Sequence, residues 1–156
     1  MEAIASKAIS SMDPANVQRL ANIAWSFAAL AVHSLPLFNA IASAAIRSIT
    51  EFGKPELVST AWAFATLSVK HQPLRTAISA SSIPRIKDFG ARQLANPAWS
   101  MSTLLVKDAP LMAAISAAAI KRSRDFQAQE LAATAWSVAT LQFCHQPLLS
   151  ALSASA

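Results

Sequence analysis

Trp25, Trp62, Trp99 and Trp136, all the tryptophans of this 156-residue chain, stand 37 residues apart. Indoles on a regular ladder have the chemistry to stack on nucleobases. A second row, with steps of four, three and four residues, stays on one face of a helix. It reads Asn22, Ser26, Ala29, His33; Ser59, Ala63, Thr66, Lys70; Asn96, Ser100, Thr103, Lys107; and Ala133, Ser137, Thr140, Cys144. Small amides and hydroxyls read base edges and lysine holds phosphate. Small residues equally let neighbouring helices approach closely. The row carries almost no charge, so it is either packed or it lines a groove. Its candidate base contacts are Asn22, Ser26, Ser59, Thr66, Asn96, Ser100, Thr103, Ser137 and Thr140.

Cations form a third set. Arg47, then Arg85 and Lys87, then Lys121, Arg122 and Arg124 fall where the second helix of each unit ends. The net charge is +5 and the isoelectric point about 10.0, which suits an anionic partner. Cations at a helix C-terminus are also favoured by the macrodipole alone, and Asp88 and Asp125 follow directly. The candidate phosphate contacts are Lys70, Arg85, Lys87, Lys107, Lys121, Arg122 and Arg124. Catalysis is not expected. His33, His71 and His145 fall in turns, and the last two share an H-Q-P-L context that marks them as structural copies. The chain has no carboxylate pair, metal-ligand cluster or glycine-rich phosphate loop, so neither enzyme activity, metal nor cofactor is expected.

The elements that position these residues follow from the same period. Leucines recur five before each Trp (Leu20, Leu57, Leu94, Leu131) and five after (Leu30, Leu67, Leu104, Leu141). Pro36, Pro73, Pro110 and Pro147 lie eleven after, without a gap anywhere. An ungapped period of this length is the mark of a repeat array. In the unit from Glu51 to Lys87, Gly53 occupies an N-cap column shared with Asn16, Gly90 and Gln127. Glu56, Gln93 and Glu130 stand three later, as in a capping box, and Phe52–Leu57, Phe89–Leu94 and Phe126–Leu131 are placed as hydrophobic staples. The first helix should run to about Val69, turn at Lys70–Gln72, and give way to a second helix opened by Pro73. The predicted fold is all-α: an α-solenoid of about four stacked antiparallel αα-hairpins. The boundaries are a partial repeat at 1–13 and repeats at about 14–50, 51–87, 88–124 and 125–156, the last incomplete. Pro97 should bend the first helix of the third unit at a cost of about 3 kcal/mol. Pro84 should kink or shorten the second helix before it.

In this setting each Trp sits among the Ala and Leu columns, so the ladder reads as inter-repeat core, with base contact as the alternative. Hydrophobic residues make up 54% of the chain, much of it alanine, and there are only 2 glycines, which suits close-packed helices. Mean hydropathy is +0.38. Yet the longest unbroken apolar run in the most apolar stretch, Phe27 to Val32, is far short of the roughly 20 residues a bilayer requires, so membrane insertion is not expected. Cys144, the single cysteine, forms no internal disulfide and reads as a small buried or half-buried thiol. Met1 and Ala156 both fall inside repeats. The expectation is a piece of a longer array, with no room for a targeting segment before it.

The stretches from Glu56 to Leu67 (E-L-V-S-T-A-W-A-F-A-T-L) and from Gln129 to Leu141 (Q-E-L-A-A-T-A-W-S-V-A-T-L) resemble the core motif of octotricopeptide repeats, as does Gln93 to Trp99. The period is similar to that of heptatricopeptide repeats, and both resemble the helical region of FAST-kinase-like proteins. The resemblance spans essentially the whole chain, with Pro84, Pro97 and the Ala- and Ser-rich second helices as departures. It implies an organellar protein, in chloroplast or mitochondrion, that binds single-stranded RNA in RNA processing, stability or translation. Many such proteins end in a RAP domain, and none is visible in these residues. Protein partners are possible as well. The competing expectation is a protein-interaction scaffold of the tetratricopeptide or armadillo type.

Overall fold

The computed structural model describes residues 2–10, 13, 16–143 and 145–154. Met1, Cys144 and Ala156, on which the sequence places expectations, lie outside them. The described residues form helices and no strand: α1 (Glu2–Ser10), α2 (Val17–Ala29), α3 (Leu35–Arg47), α4 (Lys54–Thr66), α5 (Gln72–Ser82), α6 (Ala91–Thr103), α7 (Ala109–Lys121), α8 (Ala128–Thr140) and α9 (Gln146–Ser153). Short 3-10 turns cover Ile83–Asp88 and Ser123–Asp125. The first helices α2, α4, α6 and α8 each have 13 residues and start at the same point of the 37-residue period. The chain divides into two compact units, Met1–Ser81 and Ser82–Ala156. In unit 1, α2 lies along α4 and packs on α3, and α1 packs on α3. In unit 2, α6 lies along α8, and α7 packs on α6, on α9 and on the 83–88 turn. First helix on first helix and second on second is the all-α repeat architecture that the period predicts.

Local chemistry sets the starts of the helices. Asn16 Oδ1 accepts from Arg19 N–H at 2.9 Å. Gly90 and Gln127 are extended, and their N–H groups donate to Gln93 Oε1 and Glu130 Oε2, both at 3.1 Å. These bonds are the return half of the capping box. Glycine has no side chain to supply the other half at Gly90. At Gly53, a Cβ would come within 2.7 Å of Glu56 Oε2, so the carboxylate folds over the cap there too. Second helices are capped by the column that follows the turn: His71 Nδ1 accepts from Leu74 N–H at 3.2 Å, Asp108 Oδ1 from Leu111 at 3.1 Å, and His145 Nδ1 from Leu148 at 3.3 Å. His71 and His145 are therefore caps, and each must present an unprotonated Nδ1.

First helices end three residues earlier than the sequence suggests, at Thr66 rather than Val69. The reason is a left-handed residue at one column: Ala31, Ser68, Leu105 and Gln142, with φ of 52, 56, 54 and 51°. The next N–H bonds back to the last turn, Val32 to Phe27 at 2.9 Å, Val69 to Phe64 at 2.8 Å, Val106 to Met101 at 2.9 Å and Phe143 to Val138 at 2.9 Å. Together with the shorter bonds from the left-handed residues themselves, as Ser68 to Ala65 at 2.9 Å, this is the Schellman arrangement. It recurs in all four repeats without a glycine.

The prolines behave differently from each other. Pro84 shortens its helix as expected: α5 stops at Ser82 and the chain continues as a 3-10 turn. Pro97 does not interrupt α6, which keeps the 13 residues of its siblings. It is buried at a position where Thr60 and Thr134 are buried in α4 and α8. The packing of α6 on α7 and α8 holds the helix without that hydrogen bond.

The core of unit 1 joins Phe27, Phe38, Phe52, Leu57, Phe64 and Ile78, and the staple pair Phe52 and Leu57 is fully enclosed in it. Phe38 meets Phe64 edge to face at 4.9 Å. Burying such a ring contributes about 2–3 kcal/mol. Unit 2 buries Phe89, Leu94, Met101, Leu111, Met112 and Ile115. No described helix is long and apolar enough to cross a membrane.

Candidate nucleic-acid interface

The small polar row proves to be two rows. One column, Ser26, Ala63, Ser100 and Ser137, is covered in every repeat but the first. Ser100 and Ser137 are about 1% and 0% exposed, and Ala63 is buried. Ser100 Oγ donates to Asn96 C=O at 2.8 Å and Ser137 Oγ to Ala133 C=O at 2.6 Å. Ser137 lies against α6, with Ser102 Oγ 3.3 Å away. Ser100 and Ser137 are therefore withdrawn as base contacts: their protons are spent on their own helices and their surfaces are covered. Ser26 makes the same bond, to Asn22 C=O at 2.8 Å, but is exposed.

The other columns stay at the surface. Asn22 and Thr66 are exposed, and Ser59, Asn96, Thr103 and Thr140 are half-buried. Thr103 Oγ1 donates to Trp99 C=O at 2.9 Å and so offers a ligand only an acceptor. Lys70 and Lys107, expected at the end of the same face, are exposed in the turns after α4 and α6, beyond the left-handed residues that end the helical register. In unit 1, Asn22 and Ser26 share a shallow groove of about 360 Å³ with Asn16, Gln18 and Arg19.

The tryptophans lie at the edge between packed and open surface. Trp25 and Trp62 meet at 6.4 Å, tilted by 32°, and so link α2 to α4. They are nevertheless only partly enclosed: Trp25 is 51% and Trp136 49% exposed, and Trp62 and Trp99 are half-buried. The expectation of a buried ladder holds for the contact and overstates the burial.

Sequence reasoning missed one surface column, Gln18, Pro55, Arg92 and Gln129, all exposed and four residues before the Asn22, Ser59, Asn96, Ala133 column. The same four-residue step, taken once more toward the N-terminus, finds it. Arg92 extends the open face of α6 to Arg92, Asn96, Thr103 and Lys107. Its guanidinium also lies 3.7 Å from Glu130 Oε1, tying α6 to α8.

The remaining candidate phosphate contacts lie at the far end of α7 and in the 83–88 turn. Lys121 and Arg124 are exposed and Arg122 half-buried, and Lys87 and Arg85 stand at the equivalent turn one repeat earlier. Arg122 Nη2 donates to Lys87 C=O at 3.4 Å, and Arg122 Nη1 lies 3.8 Å from Asp125. The two turns are thus adjacent. Among the described residues no group of three or more His, Cys, Asp or Glu is placed to hold a metal ion.

No curated protein matches the chain. A family profile does, from end to end: residues 1–156 match the family described as RNA-editing substrate-binding complex 6 protein, RESC6. With helical repeats, an open polar face and basic turns already in place, the match covers every element described above, and the chain belongs to the RESC6 family.

Proposed function

We propose that this protein binds single-stranded RNA as a non-catalytic component of an RNA-editing substrate-binding complex. The observation that carries the reading is the polar face that the first helices keep at the surface, with Asn22 and Thr66 exposed and Ser59, Asn96, Thr103 and Thr140 half-buried, and with Lys70 and Lys107 exposed in the turns that follow. Packing has covered Ser100 and Ser137 and left these groups at least partly accessible, which is what base-edge contact requires. Family membership supports RNA as the ligand. The resemblance to octotricopeptide and heptatricopeptide repeats supports an organellar setting, mitochondrion or chloroplast, and a role in RNA processing. At one base per repeat, as in other helical-repeat readers, the chain meets about four nucleotides. Affinity is then modest, on the order of tens of micromolar.

Gel-shift titration of the full chain with unstructured RNA, across a range of salt, tests the reading. Retardation that weakens as salt rises is expected. No retardation at low salt overturns it. The scaffold reading retains one specific support, the large exposed apolar side chains Ile4, Leu30 and Leu35 in unit 1. A chain that captured partner proteins from the complex while ignoring RNA would establish it instead.

A further inference from the structure

We infer that the edge formed by the 83–88 and 122–125 turns of unit 2 is a second RNA contact, one that holds the phosphate backbone and reads no sequence. The inference rests on the RNA-binding reading above. It concerns a different edge: Lys107 precedes the start of α7 and Lys121 ends it, and 13 helical residues separate these points by about 20 Å.

The edge carries five cations, Arg85, Lys87, Lys121, Arg122 and Arg124, against two acids, Asp88 and Asp125. The other charges of unit 2 cancel: Arg92 pairs with Glu130, and Lys107 adjoins Asp108. The whole net charge of the unit therefore sits on this edge. Its cations also repeat. Arg85 and Arg122 share one column, Lys87 and Arg124 another, and the bond from Arg122 to Lys87 C=O holds the two turns side by side. A pair of cationic columns repeated along an array fits a ligand whose negative charge also repeats. The side chains between them, Pro84, Ile86 and Ser123, include no aromatic ring and no amide, so beyond the cations themselves the edge holds no group that stacks on bases or pairs with their edges. The repeated cationic columns favour a phosphodiester backbone, whose charge repeats at a fixed spacing, over an acidic protein, whose charges follow no fixed period.

The test uses the full chain carrying Lys87→Gln, Lys121→Gln and Arg124→Gln together. All three side chains are exposed, and Arg122 is left in place because it bonds the neighbouring turn. Anisotropy titrations with oligouridylate and with a mixed-sequence RNA of equal length, over a range of salt, give the readout. The slope of log affinity against log salt should flatten by about 2, from about 0.7 per lost contact, and affinity at about 0.1 M salt should fall about a hundredfold. Both RNAs should lose by the same factor, and the matched lysine-to-arginine and arginine-to-lysine variants should bind as wild type. An unchanged slope overturns the inference, as does a loss confined to one RNA. Poly-glutamate competing as well as RNA would reassign the edge to an acidic protein. Failure of the wild-type chain to bind RNA at all would instead remove the underlying reading, so the two failures are distinguishable.

Discussion

The two columns that hold Phe38 and Phe64 in unit 1, edge to face at 4.9 Å, hold Met112 and Met101 in unit 2, both about 1% exposed. The turns differ as well. In unit 1 the column of Arg85 and Arg122 is Ser48, buried and donating to Ala44 C=O at 3.1 Å, and the column of Lys87 and Arg124 is Thr50. Ser81 closes over the same turn through Ile49 C=O at 3.3 Å. One backbone plan therefore supports an aromatic pair with a self-satisfied turn in unit 1, and methionines at the same two columns with a charged turn in unit 2. The difference separates two tasks. The backbone and its caps define the repeat. The side chains at a few columns decide whether a turn is closed on itself or carries charge.

The largest expected effect tests the core half of this contrast. Phe38→Ala should cost about 3–5 kcal/mol, since it leaves a cavity and also removes a ring pair worth about 0.5–1.5 kcal/mol. Met112→Ala, at the same column of unit 2, should fall at the low end of about 2–5 kcal/mol, because flexible methionine neighbours refill space. Urea denaturation followed by circular dichroism compares the two. Equal losses would show that the aromatic pair adds nothing beyond volume.

A smaller effect is expected at a column that both units bury. Thr60 and Thr134 are 0% exposed, and their hydroxyls have no hydrogen-bond partner among the described residues. The same column is Ile23 in the first repeat and Pro97 in the third, both without a side-chain polar atom. Thr60→Val and Thr134→Val should each raise stability by about 1 kcal/mol, as an unmet desolvation cost disappears. If one unit gains and the other loses, the hydroxyl has a partner in the second, and the units differ in packing as well as in side-chain type.

Most of this architecture was legible from the 37-residue period, because caps, staples and leucine columns each obey local rules that sequence exposes. Asn16, Gly53, Gly90 and Gln127 all start helices as read. The candidate face was only half legible. Ser26, Ser100 and Ser137 look alike in sequence, and what separates them is whether a neighbouring helix covers the column, which depends on tertiary packing. Arg92 was missed because the row was started one helical step too late. Pro97 leaves α6 whole because the packing of that helix on α7 and α8 outweighs a propensity cost of about 3 kcal/mol.

The smallest effects per site lie at the left-handed column, where the two units should behave alike. Ala31 and Ser68 in unit 1, and Leu105 and Gln142 in unit 2, hold φ near +50° although each carries a Cβ. That conformation costs an L-residue about 1–2 kcal/mol, and glycine avoids it while adding freedom to the unfolded chain. Ser68→Gly and Leu105→Gly should therefore each stabilise by about 0.5–1 kcal/mol, read as a rise in the urea midpoint at unchanged slope. The left-handed geometry had no glycine to announce it. Its signal was the apolar pair that brackets the turn, Phe27 with Val32, Phe64 with Val69, Met101 with Val106 and Val138 with Phe143, as a Schellman turn favours. Since the strain is in the backbone, the gain should not depend on whether the replaced side chain is small, as Ser68, or large and 71% exposed, as Leu105. A clearly larger gain at Leu105 would mean that its side chain also weakens the turn, and the contrast between the units would then extend from their side chains to the turn they share.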